Sequence, residues 1–254
     1  MPASQQHGFE IEKIILSDLT KRSKLAKKIP LSSSHVSRFD APAYSDPYGL
    51  GIPTSIKTAK KNSAGNALVC LADATRIGQL TEVPQMRLLV ALYEQQGPNK
   101  VFPEIREYLV TSSEWEKAMG GVSSDVLHLF NAALKVEDPK KARLVAKEWK
   151  KKLAEEHPSV MRWNAKIDSK GQRRLQCSIP LLELDALVKD PKRIRVFGTS
   201  PQAHAARLWG NGTRFPIVLS SPPRTRHPKA AKSIQSQILA PVAPSPATPS
   251  KVGP

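Results

Sequence analysis

The stretch Met86-Arg87-Leu88-Leu89-Val90-Ala91-Leu92-Tyr93 constrains the fold of this chain more than any other. It is the longest apolar run in the sequence, and only Arg87 interrupts it. A bilayer-crossing helix needs about 20 apolar residues, so this run is far too short to be one and reads instead as a very apolar strand. Ahead of it, Ile11, Ile14, Ile15 and Leu19 recur at helical spacing, and basic residues crowd the end of that segment, so a helix is expected from about Phe9 to Lys28. Three strand candidates follow, His35–Asp40, Thr54–Lys60 and Ala67–Asp73, and then a short helix, Ala74–Leu80. Helix, three strands, helix, strand is a pattern that packs helices onto a mixed sheet. The expected class is therefore α/β in the α+β sense, a mixed central sheet flanked by helices.

Further along, a helical section spans about 112–157, with segments at Ser113–Met119, Ser124–Leu134 and Pro139–Glu156. In the last, Ala142, Val145, Ala146, Trp149 and Leu153 form one apolar stripe and lysines cover most of the rest. Residues 161–180 read as a basic hairpin, Met161–Asp168 and Arg173–Ile179, joined by Ser169-Lys170-Gly171-Gln172. Leu181–Leu219 reads as helix, strand, helix, strand. From Ser220 to Pro254 there are eight prolines and five Lys or Arg but no acid and no aromatic residue. Such a composition cannot bury enough apolar surface to order itself, so 220–254 is expected to be a disordered tail and 1–219 the folded domain.

Charge narrows the partners. Lys and Arg number 39 against 22 Asp and Glu, a formal +17 in 254 residues. Taking away the five charges of the tail leaves +12 on residues 1–219, so the body itself attracts polyanions. No basic head with an apolar stretch opens the chain, and no run could span a membrane, so an intracellular, cytoplasmic protein is expected, with no membrane partner. Cys70 and Cys177 each lie in an apolar, strand-like stretch and are expected to be buried thiols rather than a disulfide or zinc ligands. There is no phosphate-cradling Gly-rich Lys-Ser/Thr loop and no serine nucleophile elbow, and the six histidines lack metal-ligand spacing.

The residues best placed for chemistry are Asp40 and the strand Thr54-Ser55-Ile56-Lys57. Strand alternation puts Ser55 and Lys57 on one face and Ile56 on the other. Pairing of the preceding strand would bring Asp40 beside them. A carboxylate can hold a hard divalent cation, and an adjacent lysine can orient a water and offset charge developing on a phosphate. An acid, a long loop and a strand ending in x-x-Lys, preceded by a helix opening Gly8-Phe9-Glu10, resemble the PD-(D/E)XK nuclease superfamily over about residues 8–95. That resemblance implies a restriction-endonuclease-like core with Asp40 as metal-binding acid, Lys57 as active-site lysine, the Ile56 carbonyl as a further ligand, and Glu10 as the acid some members carry in the first helix. It also implies Mg2+ as cofactor. The pattern departs from the family at Ser55, where an acid belongs, which leaves Glu10 or Asp73 as sources of a second carboxylate. Each of these residues has a plainer role as well. Asp40 can end a strand in an Asx turn, Lys57 can be a solvated strand residue, and Asp73 can be the N-cap of the helix after it.

In the hairpin's second strand, Leu175, Cys177 and Ile179 face one way, while Arg174, Gln176 and Ser178 face the other. Arg can bond two acceptors of guanine and Gln can pair with adenine, so Lys166, Lys170, Arg173, Arg174 and Gln176 are candidate contacts to double-stranded DNA. A basic hairpin that touches only phosphates is the alternative. Three functions stay open: a sequence-specific DNA endonuclease, a DNA-binding protein on an inactive nuclease core, and a basic RNA-binding protein. The first would suit a homodimer and, in a restriction role, a partner methyltransferase.

Overall fold

The computed structural model describes residues 3–22, 39–46, 48–168, 171–198 and 215–220, all within one compact unit, Met1–Pro222. Lys170, most of the first strand candidate and the tail beyond Ser220 lie outside the described residues.

The apolar run lies within β3 (Gln85–Gln96), a central strand of a five-stranded sheet. β1 (Thr54–Lys60) pairs with it in parallel, with Ile56 opposite Leu89 and Lys57 opposite Val90. On the other side of β3 runs β4 (Asn99–Thr111), antiparallel to it. The outer edge of β4 takes both β7 (Ile194–Gly198) and β8 (Ile217–Ser220). The sheet is mixed, as expected, and helices flank it. β4 has no counterpart among the expected elements, because Pro103, Glu104, Arg106 and Glu107 break its apolar pattern. Glu104 and Glu107 are nevertheless buried.

Alternation along these strands makes two cores. On one face α1 (Ala3–Arg22) packs Ile11, Ile15 and Leu19 against Ile56, Leu89, Ala91, Ile105 and Phe197. This helix starts six residues before the expected Phe9, so Glu10 lies beyond its first turn. On the opposite face Leu88, Val90 and Leu92 join a larger cluster with Trp115 of α2 (Ser112–Met119) and with Leu127 and Phe130 of α3 (Ser124–Ala133). Leu153 of α4 (Pro139–Glu156) and Leu184 of α5 (Leu181–Leu187) complete it.

The sequence order suggests that the second and third strand candidates belong to one sheet. They do not. β1 passes through a turn to β2 (Leu68–Asp73), and β2 leaves to pair with the hairpin strands β6 (Arg173–Pro180) and β5 (Arg162–Ile167) in a separate antiparallel sheet, β2-β6-β5. Its inner face, Val69, Leu175, Cys177 and Ile179, is part of the larger core. The expected hairpin therefore forms, but β6 is a central strand and not one half of a free ribbon. Cys177 is buried and free as expected, whereas Cys70 is free but exposed. β8 ends at Ser220, so structure runs one residue into the segment read as tail.

Candidate active site and basic sheet face

Asp40 is brought to β1 by a short backbone link. Ala41 and Thr54 form an isolated antiparallel bridge, in which the Ala41 N–H donates to the Thr54 carbonyl (3.0 Å) and the Thr54 N–H to the Ala41 carbonyl (2.8 Å). β3 uses the other edge of β1, where the Arg87 N–H donates to the Pro53 carbonyl at 2.8 Å. The main-chain groups of Thr54 and Ile56 therefore face away from β3. One Asp40 carboxylate oxygen accepts the Ile56 N–H and, at 3.1 Å, the Ser55 hydroxyl. The Lys57 ammonium lies 3.7 Å from the same oxygen, and the two side chains are 24% and 25% exposed. In a strand the N–H and C=O of one residue project to the same side, so the Ile56 carbonyl opens onto the edge that carries Asp40.

A buried ionic network holds the loop between Asp40 and β1. Asp46 accepts the N–H groups of Tyr48 (3.1 Å), Leu50 (3.0 Å) and Ile52 (3.1 Å). Arg87, the single charge in the apolar run, pairs with Asp46 and with Glu107, each at 2.9 Å, and donates to the Thr54 hydroxyl at 3.2 Å. Its guanidinium lies over the Tyr48 ring, 4.7 Å from the centroid. Arg87, Asp46 and Glu107 are all buried. Local pattern does not anticipate this network. The one visible signal is an arginine inside the most apolar stretch, a position that only a buried partner makes tolerable.

Burial raises the pKa of Asp46, but the N–H groups of Tyr48 and Ile52 and the Arg87 charge outweigh it and hold the carboxyl below its usual range. A folded-state pKa below the unfolded value of ~3.9 contributes stability that is full above that value and is lost as pH falls through the folded pKa. Urea unfolding of wild type and Asp46→Asn should therefore differ by a constant margin above about pH 5 and converge below about pH 4. A margin that stays unchanged down to pH 2 would show that the Asp46 charge is not part of the anchor.

The outward face of the second sheet lies near Lys57. Lys166 pairs in register with Arg174 and Asn164 with Gln176, and Asp73 lies opposite Gln176. Asp73 precedes a 3-10 helix, Ala74–Leu80, but makes no side-chain cap bond to it. Its carboxylate lies instead 3.5 Å from Arg174, which corrects the capping role expected of it. Cys70 sits among these groups. Loss of hydration pushes its thiol pKa up despite the nearby charges of Lys57, Lys166 and Arg174, and Asp73 pushes the same way.

Of the residues singled out in the sequence, Asp40, Ile56 and Lys57 come together with Ser55, while Lys166, Arg174 and Gln176 share the outward face of the second sheet. Glu10 belongs to α1, the helix covering the Ile56 face, whereas the Asp40 carboxylate meets Ser55, Ile56 and Lys57. Arg173 is committed elsewhere. Its guanidinium donates to the carbonyls of Val136 (3.2 Å), Glu137 (3.0 Å), Asp168 (2.9 Å) and Gln172 (2.8 Å), tying the hairpin to the α3–α4 connection. Among the described residues no three or more His, Cys, Asp or Glu are grouped to hold a metal ion, and no helix is long and apolar enough to cross a membrane. No family model, curated protein or solved structure matches the chain.

Proposed function

We propose that this chain is a metal-dependent nuclease acting on duplex DNA, with a restriction-endonuclease-like core. The observation that carries this reading is the Asp40 carboxylate at the edge of β1, 3.7 Å from Lys57 and on the same edge as the Ile56 carbonyl. Magnesium is held by few protein oxygens, one or two carboxylates with waters and substrate phosphate filling the rest, and one carboxylate with one carbonyl fits that habit. Asp40 and the Ile56 carbonyl would hold the ion. Bound there, it would supply Lewis acidity and lower the pKa of a coordinated water. Ser55 orients Asp40 through its hydroxyl, while Lys57 offsets charge developing on the phosphate and orients the attacking water. Lys166, Arg174 and Gln176 lie beside this pair on a sheet face with a row of donors for DNA, and the +17 net charge draws the substrate in.

The experiment is cleavage of supercoiled plasmid and linear duplex DNA in magnesium, with chelator and RNA substrate as parallel arms. Magnesium-dependent cutting of DNA is expected. Lys57→Ala should remove it and Lys57→Arg should not restore it, because a planar guanidinium cannot stand in for a compact ammonium at that distance. Robust cutting by either variant would take Lys57 out of the mechanism. Cleavage of RNA alone would replace the substrate.

One observation favours a second reading, a DNA-binding protein on an inactive nuclease core. The group beside Asp40 is the Ser55 hydroxyl, where the family pattern has a second acid, and a hydroxyl is a poor ligand for a hard cation. Tight duplex binding without strand breakage in magnesium or manganese would decide for it.

A further inference from the structure

α4 and β5 enclose a groove of about 380 Å3, with Ala146, Ala165 and Ile167 as its floor and Arg143, Lys147 and Lys150 around it. The three cations stand at i, i+4 and i+7, so one face of the helix delivers them all to one groove. Like charges at this spacing repel, which costs the helix stability that no local interaction returns. Further along the same helix two lysines do have acid partners, with Lys151 near Glu155 (3.9 Å) and Lys152 near Glu156 (4.0 Å). Among the described residues no acid lines the groove, and Arg143, Lys147 and Lys150 have no ion-pair partner. β5 is an edge strand, and its opposite face carries Lys166. A polyanion lying on the outward face of the second sheet has only to pass that edge to reach the groove.

We infer that the α4–β5 groove is a second docking site for the DNA backbone, with phosphates between Arg143, Lys147 and Lys150 and the sugar edge against the apolar floor. This rests on the duplex-DNA reading above. It adds an anchor remote from the Asp40–Lys57 pair, acting on affinity and not on the chemical step.

The test is binding of labelled duplex DNA to the full chain, without magnesium, across a series of salt concentrations. Lys147→Glu/Lys150→Glu should weaken binding and make the slope of log affinity on log salt shallower by about 1.8, or ~0.9 for each phosphate no longer neutralised. Lys141→Glu/Lys152→Glu changes the net charge equally on the other side of the helix and should keep a slope near wild type. All four side chains are exposed, so far-ultraviolet dichroism should show intact folds. An unchanged slope in the groove variant, or equal losses in both, would overturn the groove while leaving DNA binding in place. Failure of the wild type to bind duplex DNA would overturn both readings, whereas retained cleavage of a short duplex by the groove variant at saturating concentration supports the remote role.

Discussion

Asp40→Asn is expected to slow magnesium-dependent strand cleavage by about a thousandfold while leaving the fold intact. The carboxamide keeps the shape of the carboxylate and an oxygen that can accept the Ile56 N–H and the Ser55 hydroxyl, so the bridge between Ala41 and Thr54 has no reason to break. What is lost is the charge. An uncharged amide is a weak ligand for a hard cation, and it no longer draws the Lys57 ammonium toward position 40. Loss of metal-ion stabilisation worth several kcal/mol, at ~1.36 kcal/mol for each factor of ten, gives the thousandfold figure. Asp40→Ala should be equally inactive but also less stable, because it leaves the Ile56 N–H without its partner. Single-turnover cleavage in magnesium and duplex binding in calcium would be measured on both variants. Wild-type cutting by Asp40→Asn would remove Asp40 from the site, and loss of binding in calcium would make it a DNA anchor.

The second large effect is on stability. Arg87→Met should cost about 3–5 kcal/mol, since it strips two buried carboxylates, Asp46 and Glu107, of their common cation. Arg87→Lys should recover little, because one ammonium cannot reach Asp46, Glu107 and Thr54 in the way a planar guanidinium does. The cost arises from uncompensated charge, so neutralising the partners should return much of it. Arg87→Met combined with Asp46→Asn and Glu107→Gln is expected to be more stable than Arg87→Met alone. Urea unfolding at pH 7 measures all three variants. A loss below about 1 kcal/mol in Arg87→Met would mean that the loop is held by its backbone bonds alone. Because Asp46 ties down the chain between Asp40 and β1, a folded Arg87→Met protein should also lose cleavage in proportion to the disorder it admits there.

The two experiments separate the site from its scaffold. Asp40 lies at the edge of β1, and its charge is not expected to be needed for β1 to form. Arg87 touches neither Asp40 nor Lys57, yet it orders the loop that delivers one to the other.

Local pattern was enough to identify most elements. Strand alternation delimited Thr54–Lys60 and helical periodicity delimited Pro139–Glu156, both with the bounds they have in the fold. Each depends on interactions within one or two turns or pleats of its own sequence. The candidate pair was legible for the same reason, since Ser55 and Lys57 share a face by alternation alone. Whether Asp40 meets them was not local. It required the bridge from Ala41 to Thr54 across the intervening loop, and that loop is held by Arg87 and, through it, Glu107 from strands far along the chain.

Tertiary structure decided the rest. β4 is hidden in sequence because its charges look solvated, and they become tolerable only when Arg87, Arg106 and Arg195 lie against them. β2 could have extended the sheet of β1, but its apolar side chains find their partners in β6, which carries the basic hairpin close to Lys57. Arg173 reads like its neighbour Arg174, and only the fold shows one clamped by four carbonyls and the other on the open sheet face. Periodicity follows from backbone geometry that each residue carries with it. The partner of a strand and the neutraliser of a buried charge are set by distant residues, which meet only once the whole core has closed.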